Sequence, residues 1–500
     1  MDGFVTVTVK EGGASKRFAA KKGDSLMSAL VSQGYFIPAP CGGKGRCGKC
    51  RVKILSGGVD GAQPDSQGLV LSCLARVRED ITVEFAELSG SGLTLSRAAI
   101  SELDGEKGYG IALDIGTTTL AFYLMELATG REIDAYSCLN PQGVFGADVI
   151  SRISACSEGK LSQLNALIIG KVNEVIAALV KKHNIGGIDK IAACGNTTML
   201  HLFAGEDASP LGVYPFTPVF TEMRRYEGSR LGVNAGNVVL LPSIASYVGA
   251  DITAGILSTG MYERDGSLLI DIGTNGEIAL NAGGRLYCAS TAAGPALEGA
   301  NISCGMGGVA GAIDSASIDG GSLSFTVIGG GEPKGICGSG LIDIMAAMLE
   351  LKIIDETGAF DDLTNPNVKD DKFYITGEIF ISQQDVRQFQ LAKSAICAGI
   401  KAIAAKAEIS LGDIGKAYVA GGMGYYIDYK NAIRTGLLPK ELDGKIEAVG
   451  NSAGAGAKMC LISKKQLEWC RQIAESCENV ELSAEPLFME EYVNNMGFEG

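Results

Sequence analysis

The stretch Tyr109-Gly-Ile-Ala-Leu-Asp114-Ile-Gly116-Thr117-Thr118-Thr-Leu-Ala-Phe-Tyr-Leu124 decides the architecture of most of this chain. An apolar run, Gly110–Leu113, enters a short polar turn, and a second apolar run, Leu120–Leu124, leaves it. Short apolar runs bounded by turn residues read as buried strands. The pattern recurs as Leu268–Ile270, then Asp271-Ile-Gly273-Thr274-Asn275, then Glu277–Leu280. Two copies of strand, Asp-x-Gly-Thr turn and strand imply two similar halves facing each other. Around them, apolar runs alternate with helical patterns at Leu161–Lys182, Gly340–Leu351 and Gln388–Glu408. From Gly108 onward the expectation is therefore an α/β architecture.

The turns carry a chemistry of their own. Glycine lets backbone N–H groups approach phosphate oxygens, and the threonine hydroxyls add donors. The aspartate carboxylate can hold Mg²⁺, usually through water. A lone Asp-Gly turn also closes plain hairpins, so the pair carries the nucleotide reading. A third element, Ala417-Tyr-Val-Ala-Gly421-Gly422-Met-Gly424, is a strand ending in a glycine turn against which a flat purine or ribose can press. Two further Gly-rich segments, Ala193–Thr198 and Gly335–Gly340, are expected to be hinges or connecting helices.

Upstream, Cys41-Gly-Gly-Lys-Gly-Arg-Cys47-Gly-Lys-Cys50 is followed, after 22 intervening residues, by Cys73. Four thiolates can hold two irons bridged by two sulfides. Glycines 42, 43, 45 and 48 let the loop curl closely and turn its N–H groups toward sulfur. Structural zinc usually takes cysteines in C-x2-C pairs, and this loop has one such pair. Residues 1–88 otherwise read as short strands with one helix at Ser25–Gln33, and Phe4–Val9 alternates as a strand. Residues 89–107, rich in Ser, Gly and charge, read as a linker.

Composition excludes several classes. Five hundred residues exceed one ordinary domain. A net charge of −14 disfavours a nucleic-acid partner, because phosphate backbones repel an acidic chain. No uninterrupted apolar run approaches about 18 residues, and the N-terminus lacks a basic and then apolar leader, so a cytoplasmic chain without membrane insertion is expected. Its 14 cysteines then read as reduced thiols or metal ligands. The two histidines, His183 and His201, are too few for zinc or haem chemistry built on histidine. They read as a solvated helix end and a core residue.

The N-terminal cysteine pattern resembles the 2Fe–2S ferredoxins with the wider loop, which implies a β-grasp fold and one-electron transfer. The ordered set of phosphate turn, connection, phosphate turn, connection and adenosine turn resembles the actin, hexokinase and heat-shock-chaperone ATPase superfamily. That resemblance implies two RNase-H-like lobes closing on Mg-ATP. It carries Asp114, Gly116, Thr117, Thr118, Asp271, Gly273, Thr274 and Asn275 to phosphate and metal, and Gly421, Gly422 and Gly424 to adenosine. Members often use a carboxylate to orient water or a hydroxyl. The candidates are Asp148, Glu277 and Glu298, each of which also reads as a helix cap or an ion pair. Glu298, in a Gly-rich turn after the second phosphate hairpin, is preferred.

A ferredoxin fused to such an ATPase resembles the reductive activators of corrinoid proteins. Asn140-Pro-Gln142, Gly146-Ala-Asp148, Cys194-Gly-Asn-Thr-Thr198, Gly294-Pro-Ala-Leu-Glu-Gly299 and Glu481–Phe488 support the match. It implies ATP-dependent reduction of a Co(II) corrinoid to Co(I), a corrinoid partner from a methyltransferase system, an external low-potential electron donor, an anaerobic cell and a homodimer. Longer members carry a middle domain between ferredoxin and ATPase, whereas the interval here is too short for one. Neither histidine lies in the Asp-x-His-x-x-Gly pattern of a cobalt carrier, so the corrinoid sits on a partner. Two other functions fit the same domains: an activator of a radical dehydratase or reductase, and a small-molecule kinase or nucleotide-binding sensor with a redox domain. A 4Fe–4S cluster shared between subunits would mark the first, and phosphoryl transfer to a metabolite would mark the kinase.

Overall fold

A computed structural model describes residues 4–11, 14–31, 33, 50–64, 68–84, 103–362, 364–421 and 427–498. Cys41, Cys47, Gly422, Gly424 and the linker before Leu103 lie outside the described residues.

The N-terminal segment folds as a five-stranded mixed sheet. Its order is Ala14–Lys21, Phe4–Glu11, Ile81–Glu84, Arg51–Ser56, Leu69–Leu71. Phe4–Glu11 pairs antiparallel with Ala14–Lys21 and parallel with Ile81–Glu84. The period-two pattern puts Val7 and Val9 in the core, where Leu26 and Leu30 of the helix Leu26–Val31 meet Val52, Val70 and Val83. This sheet gripping one helix is the expected β-grasp.

The two Asp-x-Gly-Thr hairpins each found a six-stranded sheet. In the first the order is Arg131–Leu139, Thr119–Glu126, Tyr109–Ile115, Lys190–Gly195, Asn237–Leu240, Arg224–Glu227. In the second it is Glu478–Asn479, Arg285–Thr291, Gly276–Ala282, Ser267–Ile272, Lys416–Ala420, Ile446–Gly450. In chain order the first sheet runs third, second, first, fourth, sixth, fifth and the second runs sixth, third, second, first, fourth, fifth, so each holds an antiparallel meander of its first three strands with two more added parallel beside the first. The internal repeat is a repeat of topology.

Helices cover the faces, as parallel strand pairs require. Leu161–His183 buries Leu164, Ile168, Val172, Val175 and Leu179 in the first lobe's core. Val149–His183 is the one described stretch long and apolar enough by composition to cross a membrane, and within it Gly159 breaks the helical backbone at φ +77°. The second lobe's long helix starts at Gln383 rather than Gln388. A capping box between Ser382 and Asp385 satisfies its first N–H groups there.

Two helices, Ala250–Thr259 and Ser452–Ile462, pack on each other between the sheets: the first contacts strands of both lobes, and the second, following the second lobe's strand Ile446–Gly450, packs on strands of the first. They are the connecting helices. The Gly-rich segments expected in that role are strand-to-helix turns instead: Lys190–Gly195 leads into Thr197–Ala204, and Gly335–Ile336 into Gly338–Glu350. Small residues let the crossing pair approach. A Cβ on Gly456 would stand 2.1 Å from the Ala254 carbonyl oxygen, so Gly456→Ala must push backbone apart. Overpacking of this kind costs about 1–3 kcal/mol, and we expect a lower Tm for this variant in thermal unfolding. An unchanged Tm would show that the crossing yields freely.

The last part of the expected linker is anchored. Asp104 accepts from Lys464 N at 2.9 Å, and Glu106 pairs with Lys464 and Lys190 at 2.9 and 3.4 Å.

Candidate nucleotide cleft and cysteine site

Each phosphate turn sits where its antiparallel strand pair ends. Asp114 lies opposite Ala121, and Asp271 opposite Glu277. Gly116 N donates to the Thr119 carbonyl at 3.0 Å, and a Cβ on Gly116 would stand 2.6 Å from that oxygen. Gly273 N donates to the Asn275 carbonyl at 3.0 Å, and a Cβ on Gly273 would meet that oxygen at 3.7 Å, an ordinary contact. Glycine is therefore demanded by packing at the first turn, while at the second a Cβ would fit. Gly421 has φ +96°, and a Cβ there would stand 2.4 Å from the Ile272 carbonyl oxygen and 2.9 Å from the Asp271 carboxylate. The third turn thus presses onto the second.

Three buried side chains from separate segments grip the first turn. Asn140 Nδ2 donates to Gly116 O at 2.8 Å, Arg152 Nη2 to Thr117 O at 2.5 Å, and Asn196 Nδ2 to Thr117 Oγ1 at 2.9 Å. Asn140 and Asn196 also cap their own helices. The capping signals Asn140-Pro141 and Asn196-Thr197 are readable in sequence, but their second partners are not. Asn451 likewise caps its helix, accepting from Gly454 N at 2.6 Å, and only its bond to Asp114 is hidden from sequence. Arg152 and Asp251 carry no such signature, and sequence reasoning missed all three.

Five carboxylates converge between the turns, enclosed by protein on most sides. Burial raises Asp114 to about 6, opposed by a 2.7 Å hydrogen bond from Asn451 Nδ2. Burial raises Asp251 to about 7. Asp271 reaches about 8, first through burial and then through the charges of Asp251, Asp114 and Glu298. Glu277 is pushed well above the carboxylate range by burial and by Asp251 and Asp271. Burial also raises Glu298, opposed by hydroxyl hydrogen bonds and by Arg152. Among the described residues no three His, Cys, Asp or Glu side chains stand close enough to chelate a metal by themselves. Aspartates at two turn ends suit Mg²⁺ held through water and phosphate.

These shifts have a sign. A carboxyl whose folded pKa lies above its unfolded value keeps a proton that the unfolded chain releases, so its stability contribution is lost as pH rises through the folded value. For Asp271 the interval runs from 3.8 to about 8. We expect the unfolding free energy of the nucleotide-free protein, relative to an Asp271→Asn variant, to fall between pH 5 and pH 8. A difference that is flat with pH would show Asp271 to be ionised throughout.

The three candidate bases separate clearly. Asp148 caps the helix Val149–Ala155, accepting from Ser151 N at 2.7 Å and Ser151 Oγ at 3.0 Å. Glu277 lies in the strand opposite Asp271. Glu298 Oε2 accepts from Thr118 Oγ1 at 3.2 Å and also from Thr274 Oγ1, so one oxygen joins the two phosphate turns across the cleft.

In the N-terminal unit, Cys50 and Cys73 are buried with their Sγ atoms 3.2 Å apart, a hydrogen-bonded contact between thiols. A disulfide needs about 2.05 Å. Ser72 holds this corner, donating from N and from Oγ to Cys50 O, each at 2.8 Å. Two soft sulfur donors converging in an apolar pocket suit iron. Cys41 and Cys47 lie outside the described residues. Both histidines occupy their expected roles. His201 is buried, its Nδ1 2.7 Å from Thr197 O and its Nε2 accepting from Val219 N, while His183 ends its helix beside Asp134 at 2.6 Å.

Known proteins resemble the chain along its whole length. Residues 9–78 match the 2Fe-2S iron-sulfur cluster binding domain, residues 109–264 the RACo middle region, and residues 265–500 the C-terminal domain of RACo, the ASKHA domain. The middle-region match falls on the first lobe. The corrinoid activation enzyme RamQ of Eubacterium limosum is 37% identical over 417 residues, which are 78% of this chain and 70% of that protein. The [Co(II) methylated amine-specific corrinoid protein] reductase of Methanosarcina barkeri is 27% identical over 410 residues, 73% of this chain and 72% of that protein. The solved structure of a reductive activator for corrinoid, iron-sulfur protein superposes with a TM-score of 0.74 at 29% identity, covering 99% of this chain and 98% of that one.

Proposed function

This chain belongs to the family of corrinoid activation enzymes, and from that premise we propose how its parts divide the work. The protein is an ATP-dependent reductase that returns the cobalt of a partner corrinoid protein from Co(II) to Co(I). The step is uphill for common cellular reductants, and each deficit of about 59 mV costs a factor of ten for one electron. A nucleotide can offset such a deficit only by binding two states of the protein, or of its complex, with different affinity.

The observation that carries the reading is the Glu298 bridge. Its carboxylate ties Thr118 of one lobe to Thr274 of the other, in the cleft where both glycine turns open. Nucleotide phosphates entering there compete for the same two hydroxyls. Occupancy of the cleft is thereby linked to the relation of the lobes, a bistable element of the kind coupling requires. Glu298, its carboxyl pushed upward by burial, is placed to orient water and accept its proton. Asp114 and Asp271 would hold Mg²⁺ through water, where the ion screens phosphate charge. Gly116, Thr117, Thr118, Gly273, Thr274 and Asn275 receive the phosphates, and Gly421, Gly422 and Gly424 the adenosine. Cys41, Cys47, Cys50 and Cys73 hold the 2Fe–2S cluster, which supplies one electron at a time. An external low-potential donor, a homodimer and a cytoplasmic setting complete the reading, on the strength of the resemblance.

The test mixes reduced protein, Mg-ATP and the Co(II) partner anaerobically and follows Co(I) by absorbance. Co(I) should accumulate with ATP and only weakly without it, and the partner should change the rate of hydrolysis. Equal accumulation with and without ATP rejects the coupling.

A further inference from the structure

We propose that Arg152 is a positioning residue for ATP hydrolysis, setting the first phosphate turn from behind through Thr117 and Thr118 without touching the nucleotide. Its side chain is 1% exposed, and each of its three nitrogens donates a hydrogen bond. Nε donates to Gly146 O at 3.2 Å, Nη1 to Met199 Sδ at 2.9 Å and Nη2 to Thr117 O at 2.5 Å. These described partners are two carbonyls and a thioether, none of them a carboxylate. Burying a cation on neutral acceptors is costly, and a tie between loops alone could have used a neutral amide.

Two features explain the charge. The Thr117 carbonyl that Arg152 grips immediately precedes Thr118, whose hydroxyl donates to Glu298. Arg152, Thr117, Thr118, Glu298 and Thr274 thus form one contiguous chain of contacts from the helix Val149–Ala155 across the cleft to the second turn. The charged groups facing the guanidinium electrostatically are Asp148, which caps its own helix, and Glu298, so a fixed positive charge stands behind the site where phosphates and Glu298 meet. Burial lowers Arg152 only to about 9, so it stays charged at neutral pH. Preorganised charge of this kind favours the transition state more than the bound ground state.

This inference rests on the reading of Glu298 above, and the experiment separates the two. The full chain with its cluster is compared as wild type, Arg152→Lys, Thr118→Val and the double variant, measuring kcat and KM for ATP and Kd for ADP. Arg152→Lys should lower kcat about tenfold or more, since a misplaced turn costs rate, while ADP affinity stays within about threefold. Thr118→Val should lower kcat likewise, and the double variant should be no slower than the slower single one, because residues acting through one another are non-additive. Added guanidinium should restore part of the rate of Arg152→Gly. If that variant does not fold, the Lys variant and the cycle carry the test. Wild-type kcat in Arg152→Lys overturns the proposal, as do multiplying losses in the double variant or a loss of ADP affinity matching the loss of kcat. Glu298→Gln is measured alongside. Normal hydrolysis by Glu298→Gln removes the base assignment and leaves the Arg152–Thr118 cycle to be judged by itself. A dead Glu298→Gln with multiplying losses in the cycle leaves the base and removes the positioning role.

Discussion

Asp271→Ala is expected to abolish ATP hydrolysis and to leave the visible spectrum of the N-terminal unit unchanged. Asp271 ends its strand beside the second turn, and the Cβ space of Gly421 abuts its carboxylate, so it stands where the second and third turns meet. On the proposed reading Asp271 would hold Mg²⁺ through water, and misplacing reacting groups by about an ångström costs on the order of a hundredfold in rate. Raised to about 8 by burial and neighbouring carboxylates, Asp271 is poised to give up a proton when a cation arrives. The loss should therefore appear in kcat under saturating Mg-ATP, with the melting transition preserved or raised, since a strained buried acid has been removed. Hydrolysis at the wild-type rate would remove Asp271 from the site.

The second large effect is at the cysteines. Cys50→Ala or Cys73→Ala should yield protein without the cluster's visible absorbance, with ATP binding retained and no reduction of the corrinoid partner. The two thiols meet at 3.2 Å in an apolar pocket of the N-terminal unit, while the nucleotide turns belong to two other sheets. Wild-type protein prepared anaerobically should contain about two irons and two sulfides per chain. Tetrahedral zinc in their place would refute the assignment, and a Cys73→Ala variant with an intact spectrum would remove that residue from the ligand set.

Sequence by itself determined what depends on local order. The repeated Asp-x-Gly-Thr hairpin announced two related lobes because strand, turn and strand are neighbours in the chain. The cysteine spacing announced iron for the same reason. The long helix Leu161–His183 was legible from its periodic apolar face. The caps at Asn140 and Asn196 were legible as turn chemistry, although their grip on the first turn was not.

Only the tertiary structure decided which distant groups meet. The Gly-rich segments Ala193–Thr198 and Gly335–Gly340 read as hinges or connecting helices because glycine loosens the backbone. The fold uses Ala250–Thr259 and Ser452–Ile462 instead, since small residues on facing helices matter only once those helices cross. Asp251 and Asn451 enter the site from those helices, and Arg152 from a helix whose other face is exposed. Asn451 is marked locally only as a helix cap, and nothing in the neighbourhoods of Asp251 and Arg152 distinguishes them from ordinary polar positions. The choice among Asp148, Glu277 and Glu298 was likewise one of distance. One caps its helix, one sits in a strand, and one joins Thr118 to Thr274 from opposite lobes. Burial, which sets the charge of each carboxylate in the cleft, is a property of the closed molecule and has no signature in the order of its residues.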